Sequence, residues 1–346
     1  MTRAILLICL IVYLAVPASA LEIEAPQVPE SAEAVMPEDT SSFGNALWQL
    51  LKNVVSGLRP ELKDALGASA SVLGSVLLTA LGGNFSRKGK KPLDLAAVGV
   101  ICVLLLQNSS AMIALGADTI AQLSEYGKLL LPVMASALAA QGGVTSSAAL
   151  YAGTAVFDAV LSSAIEKLLL PMVYLFLALA AANAAAGEAF LKRLRDMVKG
   201  LLSWSLKLLL TIFTTYMSIT GVVSGTTDAA ALKATKVTIS SFVPVVGGIL
   251  SDASEAVLDS AGVMKSAAGV YGVLAILALF LEPFLRIGIQ YLVLKATAAL
   301  GSLFGTGEIS GLIEDFAAAM GLLLAMTGAA CVILLLGTVC FMKGVG

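Results

Sequence analysis

Residues 240–272 read SSFVPVVGGILSDASEAVLDSAGVMKSAAGVYG, an apolar run interrupted by a proline, glycines and several charges. Pro244 removes a backbone donor and clashes with the preceding turn, and Gly247 and Gly248 loosen the helix just after it. Asp252, Glu255 and Asp259 follow at i, i+3 and i+7, which places three carboxylates on one helical face. Lys265 closes the charged part. In lipid, an interrupted helix bearing acids is tolerated only where protein or water satisfies it. The segment is therefore expected to line a pathway or to contact a partner. An extramembrane loop with an amphipathic helix between two spans fits the same residues.

Working outward, the composition is that of a membrane protein. Of 346 residues, 58% are hydrophobic and 13% charged, and the mean hydropathy is +0.95. A soluble domain carries roughly 25% charged residues, about twice the share found here. The expected fold class is all-α: a polytopic transmembrane helical bundle with an internal duplication and broken or re-entrant helical hairpins. A formal net charge of −2 gives no nucleic-acid footprint. The sequence contains no His, which removes Ser-His-Asp and Cys-His catalysis and most zinc-enzyme chemistry. Cys9, Cys102, Cys331 and Cys340 form no CxxC, and the last three are expected as buried apolar thiols.

Residues 1–20 have the form of a signal peptide, with Arg3, an apolar core and Ala18-Ser19-Ala20 as a cleavage site. Residues 21–42 are acidic and proline-bearing and are expected as a disordered exported tail. Over 43–65, Leu47, Leu50, Leu51, Val54, Val55 and Leu58 recur at helical spacing among charges, an amphipathic helix at the membrane surface or against a partner. A plain packing helix fits the pattern as well. Residues 66–85 are an uncharged span, and Arg87, Lys88, Lys90 and Lys91 mark the following loop as cytoplasmic. A second span covers 95–117, and 118–128 is expected as a short polar connection. Residues 129–165 hold one charge, Asp158, and are broken by Pro132 and by Gly142 and Gly143, which suggests a hairpin. A span led by Pro171 follows. Residues 188–203, with Lys192, Arg193, Arg195 and Lys199, are expected as a cytoplasmic interfacial helix before a span at 208–227. Arg286 and Lys295 fall inside the apolar region after Pro283 and are expected to be paired or snorkelled. Residues 316–342 form the last uncharged span.

Pro132 and Pro171 are 39 residues apart, as are Pro244 and Pro283, and the two pairs are offset by 112. At that offset LPVMASAL at 131–138 falls on VPVVGGIL at 243–250, and Trp204 falls opposite Phe316. The chain is thus divided into a first membrane segment and repeat at 66–206 and a second repeat at 207–346. Asp252, Glu255 and Asp259 fall opposite Ala140, Gly143 and Ser147, so any polar specialisation belongs to the second half. Repeats with broken helices at matching positions point to a pathway in transporter-like proteins; duplicated bundles also serve as scaffolds. Two cytoplasmic basic clusters favour parallel repeats.

No Walker A, HExxH or GxSxG sequence occurs. No catalytic residue, cofactor or metal site is assigned, and the chain is expected not to be an enzyme. An aspartyl pair of Asp158 with Asp252 has no local support, and the acidic face at 252–259 lacks the glycine-centred loop of oxygen cages. The candidate pathway or partner contacts are Pro132, Gly142, Gly143 and Asp158, with Pro244, Gly247, Gly248, Asp252, Glu255, Asp259 and Lys265.

The signal segment, acidic tail, multi-span body and above all the 240–272 sequence resemble the stage III sporulation protein AE family of endospore-forming bacteria. The similarity runs from about residue 43 to the C-terminus, and 243–272 is its most specific part; residues 21–42 carry no family signal. The resemblance implies a non-enzymatic, multi-pass subunit of the channel, or feeding tube, joining mother cell and forespore, made in the mother cell and placed in the outer forespore membrane. It implies as partners the other stage III sporulation A proteins, including a cytoplasmic ATPase and ring-forming subunits, with stage II sporulation protein Q across the intermembrane space. It carries over no catalytic residue. A stand-alone permease that rocks two repeats about broken helices is the alternative. Parallel repeats predict that cysteines placed at Ser147 and Asp259 are labelled from the same membrane face; labelling from opposite faces overturns that topology.

Overall fold

The apolar periodicity runs straight through most of the charged interruptions. In a computed structural model, which describes residues 26–37, 39–40, 42–85, 90–140, 144–219, 267–304 and 307–343, the chain is an all-α bundle, with no strand among the described residues. A single turn, α1 (Glu30–Glu33), precedes α2 (Phe43–Phe85), α3 (Lys90–Ala140) and α4 (Val144–Ala164). A π-helical turn at Ile165–Leu169 joins α4 to α5 (Leu170–Ala186), followed by α6 (Ala189–Ile219), α7 (Ala267–Ser302) and α8 (Gly307–Lys343). Among the described residues, 6 helices are long and apolar enough to cross a membrane, with α4 and α5 counted as one. The chain is a multi-pass membrane protein by this measure. The sequence-derived signal peptide at 1–20 lies outside the described residues.

Continuity of the buried stripes explains why the helices are so long. In α2, Ala46, Leu50, Val54, Leu58, Ala65, Ser69, Val72 and Val76 are buried at steps of three, four or seven. The stripe crosses residue 65 without a change of phase, so the amphipathic segment and the first span are two parts of one 43-residue helix. Only its outer face changes, from charged to apolar. The same holds for 118–128, expected as a connection but lying inside the 51-residue α3. Asp118, Glu125 and Lys128 occupy its exposed side while Ile120, Leu123 and Tyr126 face inward. At 1.5 Å per residue α3 is about 77 Å long. Pro132, expected as a breaker, stays within α3 on its exposed side, and α3 ends only at Ala140. Leu130, Leu131, Met134 and Leu138 hold that end against the core and outweigh one missing hydrogen bond. The basic segment 188–203 likewise runs without a break into the next span as α6, which passes through the 206/207 division.

Residues 26–37, where a disordered tail is expected, lie against the bundle. Ala32 and Val35 are buried, Asn53 Nδ2 donates to the Val35 carbonyl at 3.4 Å, and the Tyr126 hydroxyl donates to the Pro26 carbonyl at 3.4 Å.

The centre is α8. Its apolar window is 100% buried, enclosed by α3, α4, α5, α6 and α7. Close approach to α3 needs glycine: a Cβ on Gly116 would lie 2.5 Å from Leu323 Cδ2, and one on Gly127 would lie 2.6 Å from Leu334 Cδ2. Both the glycines and the leucines are eleven residues apart, about three turns, so α3 and α8 run parallel and in register. Helix α7 runs antiparallel to α8, with Lys295 on Glu314 at 2.7 Å and Gly301 against Ser310. Helix α2 follows α7, through Glu61 with Arg286 at 3.1 Å and Ser69 with Thr297. Arg286 and Lys295 are thus paired, as the sequence predicts. Cys331 and Cys340 are buried and Cys102 is half-buried.

Gly187 closes α5 in the left-handed region at φ 66°, and its N–H donates to the Asn183 carbonyl at 2.8 Å. This tight turn sets α6 antiparallel to α5. Across α4 and α6, Phe157 meets the Phe213 ring edge-on at 5.3 Å, and the Tyr216 hydroxyl donates to the Ala149 carbonyl at 2.9 Å. A Cβ on Gly153 would lie 2.1 Å from the Tyr216 ring. Gly153→Ala is expected to destabilise the bundle by about 1–3 kcal/mol, because a rigid ring must move. Gly57→Ala, on an open face of α2, is expected to stabilise by about 0.5–1 kcal/mol through helix propensity. Thermal unfolding in detergent checks both signs.

Candidate functional site

Pro244, Gly247, Gly248, Asp252, Glu255, Asp259 and Lys265, together with Gly142 and Gly143, lie outside the described residues. Pro132 and Asp158 lie within them, and the structure does not bring these two together: Pro132 faces out of α3, whereas Asp158 faces in from α4.

Asp158 stands on the buried stripe of α4, with Leu150, Thr154, Leu161 and Ile165. It is 3% exposed. Ser124 Oγ on α3 donates to its Oδ2 at 2.8 Å, while Oδ1 has no hydrogen-bond partner. Lys128 acts on the carboxylate only through its longer-range field. Thr154 Oγ1, one turn before, and Ser162 Oγ, one turn after, are also buried without partners. A Cβ on Gly337 would lie 2.4 Å from Thr154 Cγ2, so the α8 backbone closes one end of this polar row. Buried polar atoms are rarely left unpaired, and three along one helical face mark an unusual place in an apolar bundle.

The helix beyond this row is locally widened. Pro171 has no N–H to give residue 167 and its ring crowds that carbonyl, and here the preceding turn takes up the mismatch by widening, whereas α3 carries Pro132 without such a turn. Leu170 N–H instead reaches back five residues to the Ile165 carbonyl. Such one-turn widenings recur at functional sites.

Polar residues also meet at two other levels. Glu61 and Glu282 flank Arg286 at 3.1 and 2.8 Å, and Arg286 Nε has no partner. Arg286 and Glu282, with Ser31, Asp118 and Gln122, line a pocket of about 120 Å³ floored by Leu115, Leu279 and Pro283. Gln122 Nε2 donates to Asp118 Oδ2 at 2.6 Å, and Ser31 Oγ donates to Gln122 Oε1, which ties the N-terminal segment to the rim. Nearer the start of α8, Arg195 Nη1 donates to Asp315 Oδ2 at 2.7 Å, a pair whose side chains are 13% and 10% exposed. Arg195 also holds Asp196 at 2.7 Å.

Sequence reasoning found Asp158 because a lone charge in an apolar run is conspicuous. It missed Thr154 and Ser162, although their i−4 and i+4 positions carry the signal. Ser124, Arg195 and Asp315 had none, since each needs a contact across 34 or 120 residues. Among the described residues no group of three or more His, Cys, Asp or Glu is placed to hold a metal.

A family model described as stage III sporulation protein AE matches residues 40–346. The Bacillus subtilis (strain 168) protein named stage III sporulation protein AE is 22% identical over 210 residues, covering 61% of this chain. The match spans about half of that relative, 53% of its length. No solved structure matches.

Removing one member of a buried ion pair leaves an uncompensated charge and costs about 3–5 kcal/mol. Arg195→Gln, which strands Asp315, is expected to cause a loss of this order, and Asp315→Asn a smaller one, because Arg195 keeps Asp196 at 2.7 Å. The double variant is expected to lose less than the sum, as measured by unfolding in detergent micelles.

Proposed function

Because the chain belongs to the stage III sporulation protein AE family, we propose that it is a non-enzymatic membrane subunit of the mother cell–forespore channel, the feeding tube that sustains late forespore gene expression. Its place is the outer forespore membrane. Its partners are the other stage III sporulation A proteins, including the cytoplasmic ATPase and the ring-forming subunits, with stage II sporulation protein Q across the intermembrane space. The family match over residues 40–346 carries this reading. The six long apolar helices fit a multi-pass component. The filled centre, with the apolar window of α8 fully buried, favours a subunit over a self-sufficient permease: a passage would run beside this bundle, between it and its neighbours, rather than through it. The acid-bearing element at 252–259 is the part we assign to that passage or to a neighbouring subunit.

Complementation tests the proposal. In a sporulating host lacking its own family member, expression of this chain in the mother cell alone is expected to restore a late forespore reporter, and a fluorescent fusion is expected to ring the engulfed forespore. Asp252→Asn and Asp259→Asn are expected to lower the reporter while leaving the ring. Restoration from the forespore side, or solute transport by the purified protein in vesicles without partners, overturns the proposal; the second outcome identifies a permease.

A further inference from the structure

Contacts to α8 place the other helices on one axial scale, and on that scale the apolar outer surface is not a level band. A Cβ on Gly301 would lie 3.0 Å from Ser310 of α8 and 3.8 Å from Val76 of α2, so residue 76 of α2 stands level with residue 310 of α8. On the far side of the bundle, Arg195 of α6 holds Asp315 at 2.7 Å. Tyr216 of α6 lies against Gly153, next to the Thr154 that meets Gly337, so α6 keeps the same register to its end. Helix α2 runs against α8, and α6 runs with it. The uncharged half of α2, residues 65–85, therefore extends from about the level of residue 321 of α8 to beyond its start. The apolar half of α6, residues 200–219 with Lys207 as its one charge, lies level with residues of α8 from about 320 to 340. The two halves are displaced by about 20 residues, or about 30 Å, a full thickness of bilayer hydrocarbon.

Both halves are open to the outside. Leu77, Leu78 and Leu81 of α2 are exposed, and so are Trp204, Leu208 and Ile212 of α6. At each level the opposite side of the bundle is charged. Lys52, Arg59 and Lys63 of α2 are exposed level with the apolar half of α6, and Lys192, Arg193 and Lys199 of α6 are exposed level with the apolar half of α2. A slab perpendicular to the bundle axis would sink one of these charged sets among acyl chains, at a high cost for each charge.

We infer that the bilayer meets the bundle obliquely, along an apolar belt that descends from α2 on one side to α6 on the other. Acyl chains are the partner that this belt fits, since each half is as long as the hydrocarbon is thick. Lean of the bundle and local thinning of the lipid share the accommodation. Lys63 and Lys199 stand just beyond the two edges, where their stems lie along the belt and their ammonium groups reach water. The charged half of α2, with the N-terminal segment held on it through Asn53 and Val35, is then on one side of the membrane. The basic start of α6 is on the other. A second copy of the chain pressed on either half is the competing cover.

The test reads tryptophan fluorescence of the full chain in phosphatidylcholine vesicles whose acyl chains are brominated near their middle, against unbrominated vesicles. Trp48 is read alone in Trp204→Phe. Leu78→Trp and Ile212→Trp are each read in a chain carrying Trp48→Phe and Trp204→Phe. Trp48 and Ile212 stand within about 8 Å of one level, so an upright bundle gives both the same response. The oblique belt is expected to cost Leu78→Trp and Ile212→Trp most of their fluorescence in brominated lipid while Trp48 keeps its own. If Ile212→Trp does not fold, Trp204 in a Trp48→Phe chain takes its place. Equal responses from Trp48 and the α6 probe overturn the oblique belt. An unquenched probe on either half overturns it too, and assigns that half to a second copy.

Discussion

The bundle depends on one constraint: the apolar window of a 37-residue helix, α8, has no face left over for either water or lipid. Each neighbour must therefore offer it an apolar, closely fitting surface along its whole length. In a membrane, expulsion of water contributes little to such packing, and the gain comes from dispersion contacts at short range. That is why leucines of α8 rest on glycines of α3, and why the α4 backbone comes near enough for Thr154 to meet Gly337. The same demand forces charges into two places. They lie on outer faces, as Asp118 and Lys128 do, or they pair between helices, as Arg195 does with Asp315.

The ion pairs differ in what they hold. Lys295 with Glu314 and Arg286 with Glu61 lie towards the surface and clip α7 to α8 and to α2, with modest energies expected of partly exposed pairs. Arg195 with Asp315 is enclosed, so it fixes the depth at which α6 meets α8: sliding either helix by a turn would strand a charge. Asp158 belongs to neither group. It is buried without an ionic partner within hydrogen-bonding distance, and its neighbours on the α4 face are hydroxyls in the same unsatisfied condition.

Fold class was legible from composition alone, because so few charges cannot clothe a soluble surface. Segment boundaries were harder. Charges at 118, 125 and 128 look like a gap between spans when counted as a run, yet their steps of three and seven keep them on one side of a continuous helix. The basic start of α6 misled in the same way, since its buried positions Val198, Leu202 and Leu206 continue unchanged into Leu210 and Phe213. Proline gave mixed guidance: Pro132 does not interrupt its helix, whereas Pro171 reshapes the turn before it. Of the site, Asp158 could be found from its isolation. Thr154 and Ser162 could have been read from their i−4 and i+4 spacing, whereas Ser124 could not, because its relation to Asp158 is spatial. The reading of 240–272, apart from its last six residues, rests on sequence alone.

The wide turn at Ile165–Leu169 also makes α4 and α5 a rod with a phase offset built in. One residue in a regular helix corresponds to about 100° of rotation. Deleting a single residue within this turn would restore regular spacing and keep Val173, Phe176, Leu177 and Ala180 towards the interior, whereas deleting one elsewhere between α4 and Val173 would swing them away by about that angle. Length changes in this rod are therefore constrained in a way that the chemical character of its residues does not reveal.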